Sequence, residues 1–222
     1  MSQIEPVRID SVSKQDWQFR NLLVVIGASA GGFAAISKIV ELLPENFQAT
    51  LVVATHRDPK QQHNQLAEIL SRRANLSVQQ PVEGQQLVCT TIYVGHPSES
   101  VQVEGQSASL DVVETITDRM SRIDDLFHSA ARVAGPNAVG VILSGMLSDG
   151  VSGLQAISEV GGRCIVQSPS DAQFPDMPRN ALAAVGVDFV GTAEEIAAHL
   201  IQIASDRDCQ NAEQDAADGT SR

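Results

Sequence analysis

"VVIGASAGGFAAI", Val24 to Ile36, passes from an apolar run through a turn of glycines and small residues into a helical pattern. A buried strand that ends in glycine and feeds a helix marks an open α/β sheet, and the residues of the turn set what it binds. A dinucleotide fingerprint, G-x-G-x-x-G, needs its second glycine so that backbone can approach a pyrophosphate. In register with Gly27, that position is Ser29. The same residues satisfy G-x-S-x-G from Gly27 to Gly31, with strand before and helix after, a setting that exposes a serine hydroxyl. The helix behind the turn offers amide donors to a developing oxyanion. A plain glycine turn whose serine caps the helix accounts for the stretch equally well.

The rest of the chain has the same rhythm. "LLVVI" (22–26) and "TLVVA" (50–54) are apolar strand runs, separated by the helical spacing of Ile36, Ile39, Val40 and Leu43, which Pro44 ends. "NQLAEILSRRA" (64–74) is helical. From Leu76 to Val113 the pattern changes to short β-type runs with glycine turns, "TTIYVG", "SVQVEG" and "SLDVVE", which predict an antiparallel excursion of hairpins. Alternation then resumes: helix 123–134, strand 138–143, helix 153–160, strand 163–167, strand 187–191 and helix 193–204. The fold class is α/β, a doubly wound, mostly parallel, Rossmann-like sheet with helices on both faces. The organisation expected is an N-terminal extension over 1–20, pinned by Trp17, one domain over 21–204, and a disordered acidic tail over 205–222.

Composition narrows the function. The net charge of −12 opposes phosphate backbones, so nucleic acid is a poor partner. The three cysteines, Cys89, Cys164 and Cys209, are odd in number and widely spaced, which indicates neither a disulfide framework nor a zinc site, and no metal is expected. The first residues carry no signal-type apolar core and no run reaches membrane-span length, so a cytoplasmic location is expected, without membrane insertion.

Ligands of such sheets bind beyond the carboxyl ends of the strands. Three polar clusters fall there: Gly27 to Gly32, His56-Arg57-Asp58, and Ser144 to Gly150. A serine hydroxyl needs a base near neutral pH, and His56, ending a buried strand, supplies an imidazole. Asp149 supplies a carboxylate to orient it. Each has a plainer reading, His56 as a surface loop histidine and Asp149 or Ser148 as a helix cap. Three such groups at one sheet edge are a less frequent coincidence than any one. His63, His128 and His199 lie in helical patterns, and His96 on a hairpin.

These residues resemble the catalytic domain of the chemotaxis receptor protein-glutamate methylesterases, over about Leu22 to Ala204. "VVIGASAGG" resembles that family's nucleophile turn and "VVATHRDP" its strand ending in the catalytic histidine. The stretch 124–157 with "SGMLSDG" resembles its segment bearing the triad aspartate, and "DMPRNAL" its Met-Pro-Arg segment. The resemblance implies Ser29 as nucleophile, His56 as base and Asp149 as orienting carboxylate, with Ala30, Gly31 and Met146 at the oxyanion site or active-site wall. It implies Arg57 and Arg179 as substrate-contact candidates, methylated receptor helices as protein substrate, glutamine deamidation at the same site, and no cofactor. Departures from the family pattern are Ala30 for threonine, Arg57-Asp58 for Met-Pro, His96-Pro97-Ser98 for Pro-Gly-Asp, and Arg119-Met120-Ser121-Arg122 for an Arg-rich segment with Pro-Ser. About twenty residues precede the first strand, too few for the receiver domain of the family's regulatory form, so control by an attached receiver is not expected. The alternatives are a nucleotide-binding module using Gly27, Gly31 and Gly32 with Asp58 near the ribose, and a non-catalytic partner-binding scaffold.

Overall fold

The computed structural model describes Phe19 and residues 21–219, with side chains through Arg207. Seven strands form one sheet: β1 (Leu22–Ala28), β2 (Ala49–Thr55), β3 (Ser77–Gln79), β4 (Thr91–Val94), β7 (Ala138–Ile142), β8 (Arg163–Gln167) and β9 (Phe189–Gly191). Their order is β3-β4-β2-β1-β7-β8-β9 and every pairing is parallel. β5 (Glu99–Glu104) and β6 (Ser107–Val112) pair antiparallel as a separate hairpin.

The two faces of β1 sort the core. Leu22, Val24 and Ile26 face one cluster, with α1 (Gly32–Leu42), α2 (Gln65–Ser71) and α7 (Ala193–Gly219). Leu23 and Val25 face the other, with α4 (Arg122–Ala134), α5 (Val151–Glu159), α6 (Asp176–Ala184) and the hairpin. A strand covered on both sides explains the unbroken apolar runs. A short helix, α3 (Ile116–Met120), leads into α4, and Thr115 and Asp118 close a capping box at its start.

The hairpin excursion is narrower than the sequence predicts. "TTIYVG" is not a hairpin strand but β4, inserted parallel beside β2, with Ile92, Tyr93 and Val94 fully buried. β3 and β4 are joined by a loop instead of a crossover helix, so the helical period that signals a parallel connection is missing there. "SVQVEG" and "SLDVVE" form the antiparallel strand pair, extended by an isolated antiparallel bridge between Gln86 and Ser107. At the other end, α7 continues through 205 to Gly219, where the sequence reading places a disordered tail. Ala, Glu and Gln sustain a helix already nucleated by its packed first turns. Trp17 lies outside the described residues. Phe19 is the anchor seen there, 2% exposed, its N–H bonded to Val133 O at 3.0 Å and its carbonyl accepting from Asn137.

Register positions the site. Ala28 pairs with Thr55, so Ser29 and His56 leave adjacent strands at the same level. Gly27 pairs with Ile142, and Ser29 N–H donates to Ser144 O at 2.9 Å, which brings the loop after β7 to that level. The chain runs outward from β1 through β2 on one side and returns through β7 on the other, so the crevice lies at the switch in strand order.

Candidate active site

Glycine shapes the turn around Ser29. Gly31 has φ +73°, and a Cβ there would stand 2.8 Å from Gln173 Cβ and from Ser144 Oγ. A Cβ on Gly32 would stand 2.4 Å from that of Ala28. Both glycines are required by left-handed backbone or by close strand–helix approach. The room they leave is filled by Gln173, Ser144 and Ala28, where a dinucleotide site would admit pyrophosphate. Among the described residues, the non-glycine positions with positive φ are Thr90 and Leu147, so Ser29 itself sits in ordinary backbone and the turn is made by its neighbours. α1 starts at Gly32 without a side-chain cap, and the Gly32 N–H donates to Ser29 O at 3.0 Å.

The three sequence-predicted groups meet. His56 Nδ1 is 3.1 Å from Ser29 Oγ, and His56 Nε2 is 2.6 Å from Asp149 Oδ2. The carboxylate only accepts, so Nε2 carries the proton and the Nδ1 lone pair faces the serine hydroxyl. The ring nitrogens are thus used in the sense opposite to the usual Ser-His-Asp arrangement, in which Nε2 faces the serine. The two side chains are almost wholly enclosed, 5% and 2% exposed. Asp149 Oδ2 also accepts from Ile123 N–H at 3.0 Å, and Oδ1 from Asp124 N–H at 2.9 Å. Its negative charge therefore rests on the N-terminus of α4, where amides and helix dipole favour an anion.

Ser29 and His56 open into a cleft of about 370 Å³ whose walls include Phe33, Ile36, Leu66 and Ile69, with Gln61 and Gln65 at the polar side. Phe33 and Met146 are 42% and 49% exposed, apolar side chains left in solvent beside the serine turn and on the β7 loop.

Arg57 lines the same cleft and also takes part in the fold. Its guanidinium donates to Asn64 Oδ1 at 2.7 Å and to Gly95 O. Burial, with the neighbouring Arg122 charge, lowers it to about 10, and it stays cationic at neutral pH. Arg179 is exposed in the first turn of α6. The next residue, Asn180, donates to Leu147 O at 2.6 Å and ties α6 to the loop bearing Met146.

Sequence reasoning missed several supports. Ser144 Oγ donates to Ala30 O at 2.8 Å and accepts from Phe174 N–H at 2.9 Å, so it stitches the serine turn to the segment before α6. Asn64 caps α2 while donating to Val94 O and Gly95 O. Its place before an apolar helical run was the available signal. Arg122, 2% exposed, opens α4, where a cation opposes the helix dipole; that mismatch was the signal for a second task.

The sequence model of a family described as CheB methylesterase matches residues 24–200. A Leptospira interrogans relative is 33% identical over 181 residues, which cover 81% of this chain and 93% of the relative. A Bordetella parapertussis protein-glutamate methylesterase/protein-glutamine glutaminase is 32% identical over 190 residues, covering 83% of this chain and 54% of that protein. The chain therefore spans nearly all of the first and about half of the second. The crystal structure of the Thermotoga maritima CheB methylesterase catalytic domain is matched with a TM-score of 0.76 at 26% identity, over 83% of this chain and 100% of that one.

Proposed function

This chain belongs to the CheB methylesterase family, and on that premise we propose that it hydrolyses glutamate methyl esters on the cytoplasmic helices of chemotaxis receptors through Ser29, His56 and Asp149. Ser29 Oγ attacks the ester carbonyl carbon as its proton passes to His56 Nδ1. The tetrahedral oxyanion is met by the amides of Ala30 and Gly31 at the start of α1, with Met146 walling the site. Collapse breaks the bond to methoxide, which takes the proton from His56 and leaves as methanol. Water then attacks the acyl-serine, giving its proton to His56, and collapse breaks the acyl–Oγ bond as His56 passes that proton to Ser29 Oγ, releasing glutamate and free Ser29. A glutamine amide follows the same course, with ammonia as the leaving group.

One observation carries this reading: the continuous chain Ser29–His56–Asp149, 3.1 Å and 2.6 Å, whose Ser29 and His56 line the cleft. A partner-binding scaffold gives no reason for that alignment, and a nucleotide module gives none for Gln173 in the glycine turn. Arg57 lines the cleft, with its guanidinium also bonded within the chain to Asn64 and Gly95 O. The test is methanol release from a methylated receptor fragment. Ser29→Ala is expected to lower kcat by about 10³-fold or more, His56→Ala nearly as much, and Asp149→Ala less. Undiminished turnover in Ser29→Ala overturns the nucleophile assignment.

A further inference from the structure

Arg122 and Asp149 are the two charged side chains among the buried described residues, and both are attached to the first turn of α4. Asp149 accepts from the amides of Ile123 and Asp124. Arg122 reaches the other way, donating through Nη1 to Thr55 O at 3.4 Å and through Nη2 to Pro97 O. The ion pairs among the described residues are Lys38–Glu194 and His56–Asp149, so this buried guanidinium is bonded to carbonyls, and Glu99, which shares its small cavity, makes no ion pair with it. Desolvation without a direct ion pair and a position against the helix dipole are both unfavourable. What offsets them is what Arg122 ties together. Thr55 is the residue before His56, and Pro97 belongs to the turn leaving β4.

We propose that Arg122 is a positioning residue for the general base, fixing the backbone at His56 to the same helical turn that holds the carboxylate of Asp149. The ring is then referenced to one rigid element from both ends, by its own main chain through Arg122 and by its Nε2 partner through Asp149. Arg57 completes the clamp from the other side, joining the residue after His56 to Gly95 O and to Asn64. Three of the places where this sequence departs from the family pattern, Arg57, the His96-Pro97-Ser98 turn and Arg122, are thus neighbours in space. They read as one replaced set of contacts around the base. The proposal rests on the reading of His56 as base, since positioning has no kinetic meaning without it.

The experiment compares Arg122→Met, which keeps the stem and removes the donors, with wild type. Expected is a fall in kcat on a small neutral methyl ester of roughly 10- to 100-fold with KM little changed, because misplacement of the base by a fraction of an ångström acts on chemistry. The second readout is the downfield proton resonance of His56 Nε2–H bonded to Asp149, expected to move upfield or broaden in Arg122→Met and to persist in Ser29→Ala. In a His56→Ala background, Arg122→Met is expected to remove nothing further, whereas general loosening of the fold would lower the residual rate again. A folded Arg122→Met with unchanged resonance and kcat overturns the clamp. Where Arg122→Met does not fold, Arg122→Lys, charged but unable to fork between two carbonyls, is expected to give an intermediate loss, and wild-type values in it overturn the proposal equally. Absence of ester turnover in wild type, or its survival in Ser29→Ala, overturns the hydrolase reading instead, and the resonance still decides the clamp.

Discussion

A single methyl group at Gly145 would collide with both the core and Ser29. A Cβ there would stand 2.0 Å from Met177 Sδ and 2.9 Å from Ser29 Cβ. Met177 is fully buried, so neither neighbour can move aside without strain. Gly145→Ala is expected to lose about 1–3 kcal/mol of stability by overpacking, together with most ester hydrolysis. Gly186, which has nothing within 4 Å of a built Cβ, is the control, and Gly186→Ala should leave the urea midpoint and the rate near wild type. At this scale the sequence was informative: that Ser29, His56 and Asp149 meet was legible because a hydroxyl, an imidazole and a carboxylate each stood at the end of a strand run. Gly145 and Ser144 were not singled out, because their tasks are a close approach and a hydrogen bond across the chain, which no local pattern records.

Among the elements, α4 has the most to do, and its first turn is electrostatically crowded. Asp124 accepts from Gly153 N–H at 2.7 Å and so links α4 to α5. Burial raises its pKa above the ordinary carboxylate value, the nearby Asp149 charge adds to that, and the Gly153 amide opposes it. A carboxyl with a raised native pKa holds its proton longer folded than unfolded, so its contribution is fully present below the unfolded value of 3.8 and is lost as pH rises through the native value. Asp124→Asn keeps the acceptor for Gly153 and cannot ionise. Near pH 3 the variant and wild type should be about equally stable, and the variant should gain relative stability as pH rises above the unfolded carboxylate range. Urea titrations at a series of pH values measure the difference; a constant difference would refute it. Element assignment from sequence succeeded where periodicity is local, as in β1, α1 and α4. It failed at β4 because a strand's partner is chosen by tertiary packing, and Thr91–Val94 is short enough for either sheet. The Arg122 contacts were equally hidden, since they join residues 25 and 67 positions apart.

For the whole molecule, charge sets a barrier that the site must overcome. On the proposed function, a chain of net charge −12 has to approach an acidic receptor segment. Like charge slows encounter, and the screening length falls from about 30 Å at 0.01 M salt to about 8 Å at 0.15 M. For the receptor fragment, kcat/KM is therefore expected to rise with added salt, while a small neutral methyl ester stays flat. Local cations modulate this. Arg57 and Arg122 are bonded to carbonyls and Asn64, and Arg179, exposed on α6, is a further cation near the Met146 loop. If Arg179 meets acidic substrate, Arg179→Glu should lower kcat/KM on the fragment at low salt by a few-fold, steepen its rise with salt, and leave the small ester unaffected. Equal salt slopes for the variant and wild type would remove Arg179 from the substrate path. A fragment rate that falls with salt would show that attraction at the site outweighs the net charge of the molecule.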